Sequence, residues 1–466
     1  MLVTRNLQPS LWDSVLPAEV RRMAPLLEQV DRWLDDEAFF APFREHFSVL
    51  LGRPSIPMEV YLRMMFLKFQ YKLGYESLCR EVSDSISWRI FCRLNIDGSV
   101  PAPSTLSKIT TRCGEDTVLR LNEALLGRAD TATLVKTGKV RADTTVVSAN
   151  VEYPTDSGLL ARAVVRAGKL VKRIKAAGGA TRTAFRDATD EATARVHAIG
   201  AKLRLRSAEA KQEAQATVLR LTGELAGLAQ AAMADATPVL GNARQALRRV
   251  TGRQRGLLRK AINELAILIS RAAAVVAQTR RRVAGEKVDS ATRVVSLHEP
   301  DARPIKKGRV GKPVEFGSKA QVMDNEDGLI LDYEVKTGNP PDAEQLAPAI
   351  KRVAKRLDRI PEQVAADRGY GEASVDAELE ELGVQRVVIP RKGKPGKARQ
   401  DLEHSPGFRD LVKWRTGCEG RISHLKRRYG WDRSLVVGRE RTAIWCGYGV
   451  LAHNLVKVAR LEATNP

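Results

Sequence analysis

VEFGSKAQVMDNEDGLILDYEVKTG, residues 314–338, reads as two strands joined at Asn325-Glu326-Asp327-Gly328, whose Asp-Gly step is a hairpin signal. Downstream of it an α/β rhythm continues. Residues 340–360, PPDAEQLAPAIKRVAKRLDRI, carry apolar positions at helical spacing; EQVAAD (362–367) is a short apolar strand; GEASVDAELEELG (371–383) is a helix ending at Gly383; VQRVVIP (384–390) is another strand. KGKPGKARQD (392–401) is expected as a cationic loop leading to a last helix over 414–430. Upstream, GKVRADTTVVSANV (138–151) alternates β-branched and polar residues over a strand's length with Asp143 near its middle. Together these predict a mixed α/β sheet with helices on both faces, three strands preceding the first crossover helix.

Two other regions flank or interrupt that sheet. Residues 1–130 read as short helices: PAEVRRMAPLLEQVDRWLDD (17–36), then PMEVYLRMMFLKFQYKLGYESLCREV (57–82), then a helix restarting at Ser104, taken as an N-cap after Pro103. Arg and Lys along them suit a helix-turn-helix-like DNA reader and a dimerisation scaffold equally. Residues 158–292 are rich in Ala, Leu and Arg and predict long helices broken near Gly178-Gly179 and near Pro238 to Gly241, as a helical hairpin inserted in another domain. Residues 161–290 hold 26 Lys+Arg against 10 Asp+Glu, sixteen of the chain's net +22. A DNA grip, a subunit interface and a solvated basic spacer all remain open for this segment.

Across 466 residues, 77 Lys+Arg face 55 Asp+Glu, and the pI is near 10. That balance favours a polyanionic partner, nucleic acid above all, through counterion release. An acidic membrane surface is disfavoured because the bases do not gather beside an apolar anchor. The five cysteines form no C-x-x-C pair, which argues against a structural zinc site and a disulfide framework. No secretory leader is expected in residues 1–17 and no membrane-spanning run elsewhere, so an intracellular protein is predicted.

WRTGCEGRISHLKRRYG, residues 414–430, keeps a single acid, Glu419, among Arg415, Arg421, Lys426, Arg427 and Arg428. On one helix Arg415, Glu419 and Lys426 fall within about 40° of one another, beside an apolar stripe of Leu411, Cys418, Ile422, Leu425 and Tyr429. Asp367 ends the strand EQVAAD and is followed by Arg368, at the carboxyl end where open α/β sheets place ligands. Asp143, Asp367 and Glu419 converging on one point would repel one another without a cation between them. Two Mg2+ or Mn2+ ions, which take oxygen ligands, suit such a set and can activate a water or 3′-hydroxyl for phosphodiester chemistry.

The combination of D-T-T-V-V in a strand, A-D-R-G-Y after another and R-x-x-x-E-x-x-x-x-x-x-K on a late helix resembles the DDE transposases of bacterial insertion sequences, with their ribonuclease-H-like core. The tyrosine that precedes that arginine by three in the subgroup is Val412 here. GRPSIPMEVYLRMMFLKF through WRIFCRL looks like their helical N-terminal domain, and PDARPIKKGR with EFGSKAQV like the lead into their second strand. The resemblance implies Asp143, Asp367 and Glu419 as metal-binding catalytic residues, and Arg415 and Lys426 as contacts to DNA phosphates, with Arg421, Arg427, Arg428 and Arg368 beside them. It implies a DNA-binding or dimerisation domain over 1–130, a catalytic domain over 131–157 and 293–466, and 158–292 as an insertion. It further implies a cytoplasmic, nucleoid-associated homodimer that binds terminal inverted repeats, cleaves DNA and joins the 3′-hydroxyl to a target. The rival readings are a transposase-derived DNA-binding regulator without catalysis, and a nuclease without strand transfer.

Overall fold

The computed structural model describes residues 1–6, 15–204, 208–306 and 313–464. The chain divides into two compact units, Met1–Ala149 with Ser318–Pro466, and Asn150–Gly317.

The first unit opens with helices α1 (Pro25–Leu34), α2 (Met58–Gln70), α3 (Tyr75–Asp84), α4 (Ile86–Phe91) and α5 (Pro103–Thr131). The helix expected from residue 17 begins at 25 because Pro25, lacking an N–H, fits the first helical position and not the interior. The same rule moves the start of α5: Ala102 is its N-cap and Pro103 its first residue, so Ser104 is not a cap. Both faces of α2 are buried, and it packs on the long C-terminal helix α15 (Arg439–Thr464), which is apolar or small on nearly every side from Thr442 to Ala459. These helices share one hydrophobic core with the sheet.

The sheet consists of β1 (Lys139–Ser148), β2 (Arg303–Lys306), β3 (Val314–Asn325), β4 (Ile330–Thr337), β5 (Gln363–Ala366) and β6 (Arg386–Val388). Its order is β2-β3-β1-β5-β6, with β4 also on β3. β3 and β4 form the antiparallel hairpin around Gly328, whose φ of +79° the turn requires. β1, β5 and β6 run parallel. The crossover helices are α10 (Ala343–Leu357) between β4 and β5 and α11 (Ala373–Glu381) between β5 and β6. β2 arises from PDARPIKKGR, of which residues 307–309 lie outside the described residues, as do residues 7–14 of the stretch expected to lack a leader.

Two expectations for the last part of the chain change. The loop over 392–401 turns helical at Lys397 as α12 (Lys397–His404), and the single helix over 414–430 is two, α13 (Pro406–Arg415) and α14 (Gly417–Arg428), meeting at Thr416. At the joint the Arg141 guanidinium lies against Gly417, leaving no room for a Cβ, and donates to the Trp414 carbonyl. The predicted stripe of Leu411, Cys418, Ile422, Leu425 and Tyr429 is buried as a set.

The second unit is a bundle of four helices, not a hairpin: α6 (Asp156–Ala176), α7 (Thr189–Leu203), α8 (Ala208–Ala246) and α9 (Gly252–Val283). The break at Gly178-Gly179 is present, whereas Pro238 sits inside α8. A mid-helix proline costs about 3 kcal/mol. Here Met233, Ala236, Val239, Leu240 and Ala243 are buried on both sides of it, and that burial opposes the cost. One helix, α9, passes a length-and-composition test for crossing a membrane, an 18-residue window of it reaching a mean hydropathy of 1.4. Its Leu258, Ile262, Leu265, Leu268 and Val275 are core residues of the bundle.

Candidate active site

β1 and β5 pair in parallel with Ala142 opposite Ala366, so Asp143 and Asp367 follow side by side one step later, on strands about 4.8 Å apart. Asp143 is 9% exposed; its Oδ1 accepts from the Thr144 N–H at 2.7 Å. Burial pushes its carboxyl up to about 6, the Asp367 charge adds to this, and the Thr144 N–H and Arg415 oppose it. The Asp367 carboxyl is raised by burial and then by Asp342, against the Gly369 N–H, Arg415 and Lys319. Two half-buried to buried carboxyls on neighbouring strands, with the Asp367 charge favouring protonation of Asp143, form a site that binds positive charge.

Arg415, the last residue of α13, supplies such a charge. Its Nη1 lies 3.3 Å from Asp143 Oδ2 and its Nη2 3.3 Å from Glu419 Oε1, bridging sheet and helix. The bridge survives the break at Thr416 because that residue keeps helical dihedrals and the four-residue spacing is preserved. Glu419, in the first turn of α14 where the helix dipole favours an acid, is 66% exposed at its side chain. Beneath this layer Arg141, on the same face of β1 as Asp143, holds Asp324 with two bonds of 2.7 and 3.0 Å and donates to the Trp414 carbonyl at 2.7 Å. Arg421 closes on the same Asp324 at 3.1 Å, so a fully buried carboxylate ties β1, β3, α13 and α14 together.

The sequence reading missed a second layer around Asp367. Gly369 admits two carboxylates: a Cβ there would lie 2.8 Å from Asp367 Oδ1 and 2.9 Å from Asp342 Oδ2. Asp342 precedes α10 and pairs at 2.6 Å with Lys319, which is buried on β3 and also donates to the Pro340 carbonyl. Two residues along β3, Gln321 donates to the Tyr370 hydroxyl at 3.1 Å. That phenol is raised well above its usual range by burial, with Asp342, Asp143 and Asp367 all contributing. Polar residues at alternate positions of β3 were the available signal, indistinguishable in sequence from a solvent-facing row.

Among the described residues no three His, Cys, Asp or Glu side chains stand close enough to form a ready-made metal cage. The donor chemistry nonetheless fits a hard divalent cation: all-oxygen ligands, two adjacent carboxyls whose proton affinity burial raises, and a third acid linked to them through a guanidinium.

The raised Asp143 carboxyl has a measurable consequence in the metal-free protein. It binds its proton more tightly folded than unfolded, so its contribution to stability is full below the ordinary 3.8 and lost as pH rises through about 6. Between pH 4 and pH 7 the intact protein should therefore lose up to about 3 kcal/mol of unfolding free energy relative to Asp143→Asn. Parallel pH profiles of denaturant stability for the two proteins would show that Asp143 titrates normally.

The remaining bases predicted to meet DNA separate by environment. Arg368, Arg427 and Arg428 are exposed, Lys426 is half-buried, and Arg421 is committed to Asp324. Arg421 and Arg428 also line a cavity of about 480 Å3 with His424, His453, Lys457 and Arg460. Among the described residues no acid lines it; burial lowers the His424 imidazole and the neighbouring arginines lower it further. Such a cavity suits an anion.

Residues 15–112 match the family described as Transposase domain (DUF772), and residues 288–455 match the Transposase DDE domain. The second match contains Asp367 and Glu419; Asp143 and helices α6 to α9 of the second unit fall outside both. No curated protein and no solved structure matches the chain.

Proposed function

Given that the chain belongs to the DDE transposases of insertion sequences, we propose that it binds the terminal inverted repeats of its element, cleaves DNA and joins the freed 3′-hydroxyl to target DNA, with Asp143, Asp367 and Glu419 as the catalytic acids of a ribonuclease-H-like core. Divalent metal ions, general to the family, would be held by those three carboxylates and would supply Lewis-acid activation of a water or a 3′-hydroxyl. The observation that carries the reading is the register of β1 and β5, which sets Asp143 beside Asp367, with Arg415 linking Asp143 to Glu419.

The chain's own residues then have distinct tasks. Asp143 must be ionised to act as a ligand, and its raised proton affinity makes that step pH-dependent. Arg415, now divided between two carboxylates, is placed to turn its planar fork onto a scissile phosphate once those acids take a cation. Lys426, two turns along α14, offers a point charge to the next phosphates, and Arg427 and Arg428 extend that track. Arg421 acts through Asp324, keeping α14 at its height over the sheet. Two copies bring two ends together in a homodimer.

The test uses the full chain with a plasmid carrying the element's ends, Mg2+ or Mn2+, and an unrelated target. Nicks at the ends, 3′-ends joined to target, and loss of both with chelator are expected. End binding that survives chelation with no cleavage product at any metal concentration would instead make the chain a DNA-binding regulator. Nicked ends that never join would make it a nuclease.

A further inference from the structure

In the second unit, RQALRRVTGRQRGLLRK, residues 244–260, spans the turn from α8 into α9 and carries seven bases. No carboxylate occurs from Ala236 to Asn263. All seven are exposed, and among the described residues none has an acidic partner. The 177–188 connection packs onto the same tip, since Asn242 Nδ2 donates to Thr183 Oγ1 at 2.9 Å and Gly178 and Gly179 abut Val250 and Leu258. It adds Arg182, also exposed.

Elsewhere in this unit acids meet bases: Arg282 and Arg293 close on Asp156, Arg281 on Glu286, Arg173 on Glu264, and Arg195 and Arg220 on Glu224. Only part of the charge at the tip has an internal rationale. Arg244 lies in the last turn of α8, with Arg248 and Arg249 just beyond it, where the helix dipole favours cations. Arg253 and Arg255 lie in the first turn of α9, at the positive end of a 32-residue helix with no acid in that turn. Thr251, its N-cap, makes no side-chain capping bond, so the first N–H groups are left for an outside acceptor. Cations stacked on an uncapped helix N-terminus repel in the isolated bundle, and an anion with several charges reverses that sign.

We propose that the α8–α9 tip is a clamp for the phosphate backbone of duplex DNA, indifferent to sequence and separate from contacts that select the element's ends. The inference rests on the DNA-processing reading above and adds a site in the inserted unit. Backbone rather than base recognition is favoured by the balance of groups: seven exposed bases can neutralise phosphates over a broad footprint, against two exposed amides, Gln245 and Gln254, while Asn242 is already bonded to Thr183.

The test compares the full chain with a variant carrying Arg248→Gln, Arg249→Gln, Arg253→Gln and Arg255→Gln, by fluorescence anisotropy over a salt series, with an end-bearing duplex and an unrelated duplex of equal length. The four exposed changes should leave the thermal midpoint in place. The slope of log affinity against log salt should fall by about 3 to 4 on both duplexes, close to one unit per lost phosphate contact. An unchanged slope in a protein that still cleaves ends overturns the clamp and leaves the catalytic reading standing. A loss confined to the end-bearing duplex overturns sequence indifference. Intact protein without salt-dependent binding to either duplex overturns both readings.

Discussion

Asp143→Asn, Asp367→Asn and Glu419→Gln should each reduce strand cleavage on the order of 10³-fold or more at saturating Mg2+, while leaving end binding within a fewfold of the intact chain. Each replacement keeps size and removes one anionic oxygen donor. The three should nevertheless differ in what they do to the metal-free protein. Asp143→Asn replaces a buried carboxyl that Asp367 already presses toward protonation, so it should be neutral or stabilising near pH 7. Glu419→Gln removes an exposed partner of Arg415 and should barely change stability. Cleavage by DNA-gel assay and unfolding by denaturant, measured on the same preparations, separate the two effects. Retained cleavage in any of the three removes that residue from the catalytic set. Retained cleavage in Asp143→Asn would carry the most weight, since that residue lies outside both matched regions and its assignment depends on its strand motif, the β1–β5 register and the Arg415 bridge.

What could be read from the sequence followed from local rules, and what could not depended on tertiary packing. The β3–β4 hairpin is set by alternation and an Asp-Gly turn, and the strand positions of Asp143 and Asp367 follow from β-branched runs around them. Pro238 was misread as a break because helix propensity is a weak prior that two buried flanks override. The packing at the Thr416 joint was invisible because it involves Arg141, some 275 residues upstream, against Gly417 and the Trp414 carbonyl. Lys319, Gln321 and Asp342 were missed for a related reason. A polar row on a strand reads as solvent-facing, and only the fold turns it inward onto Asp367 and Tyr370.

Asp324 is where the fold and the site depend on the same atoms. Asp324→Ala should lower unfolding free energy by about 3–5 kcal/mol, the usual cost of removing one partner from a buried ion pair, because Arg141 would remain buried and lose its two bonds. A Leu in place of Asp324 would fare no better while Arg141 stays charged. The same change should slow cleavage without touching any group that meets substrate: with Asp324 gone, Arg421 no longer anchors α14 and Arg141 no longer fixes the joint against which Gly417 packs. Glu419 stands two residues from each of these contacts, so its distance from Asp143 and Asp367 would become variable, and a misplacement of about 1 Å costs on the order of a hundredfold. The predicted signature is a fall in the cleavage rate with end-binding affinity nearly constant, partly recovered by raising the divalent metal concentration. The double variant Arg141→Met/Asp324→Leu, which removes both charges together, should recover most of the stability and little of the rate. If it recovered both equally, Asp324 would serve the fold alone, and the height of Glu419 over the sheet would have to be set by the buried apolar stripe of α14.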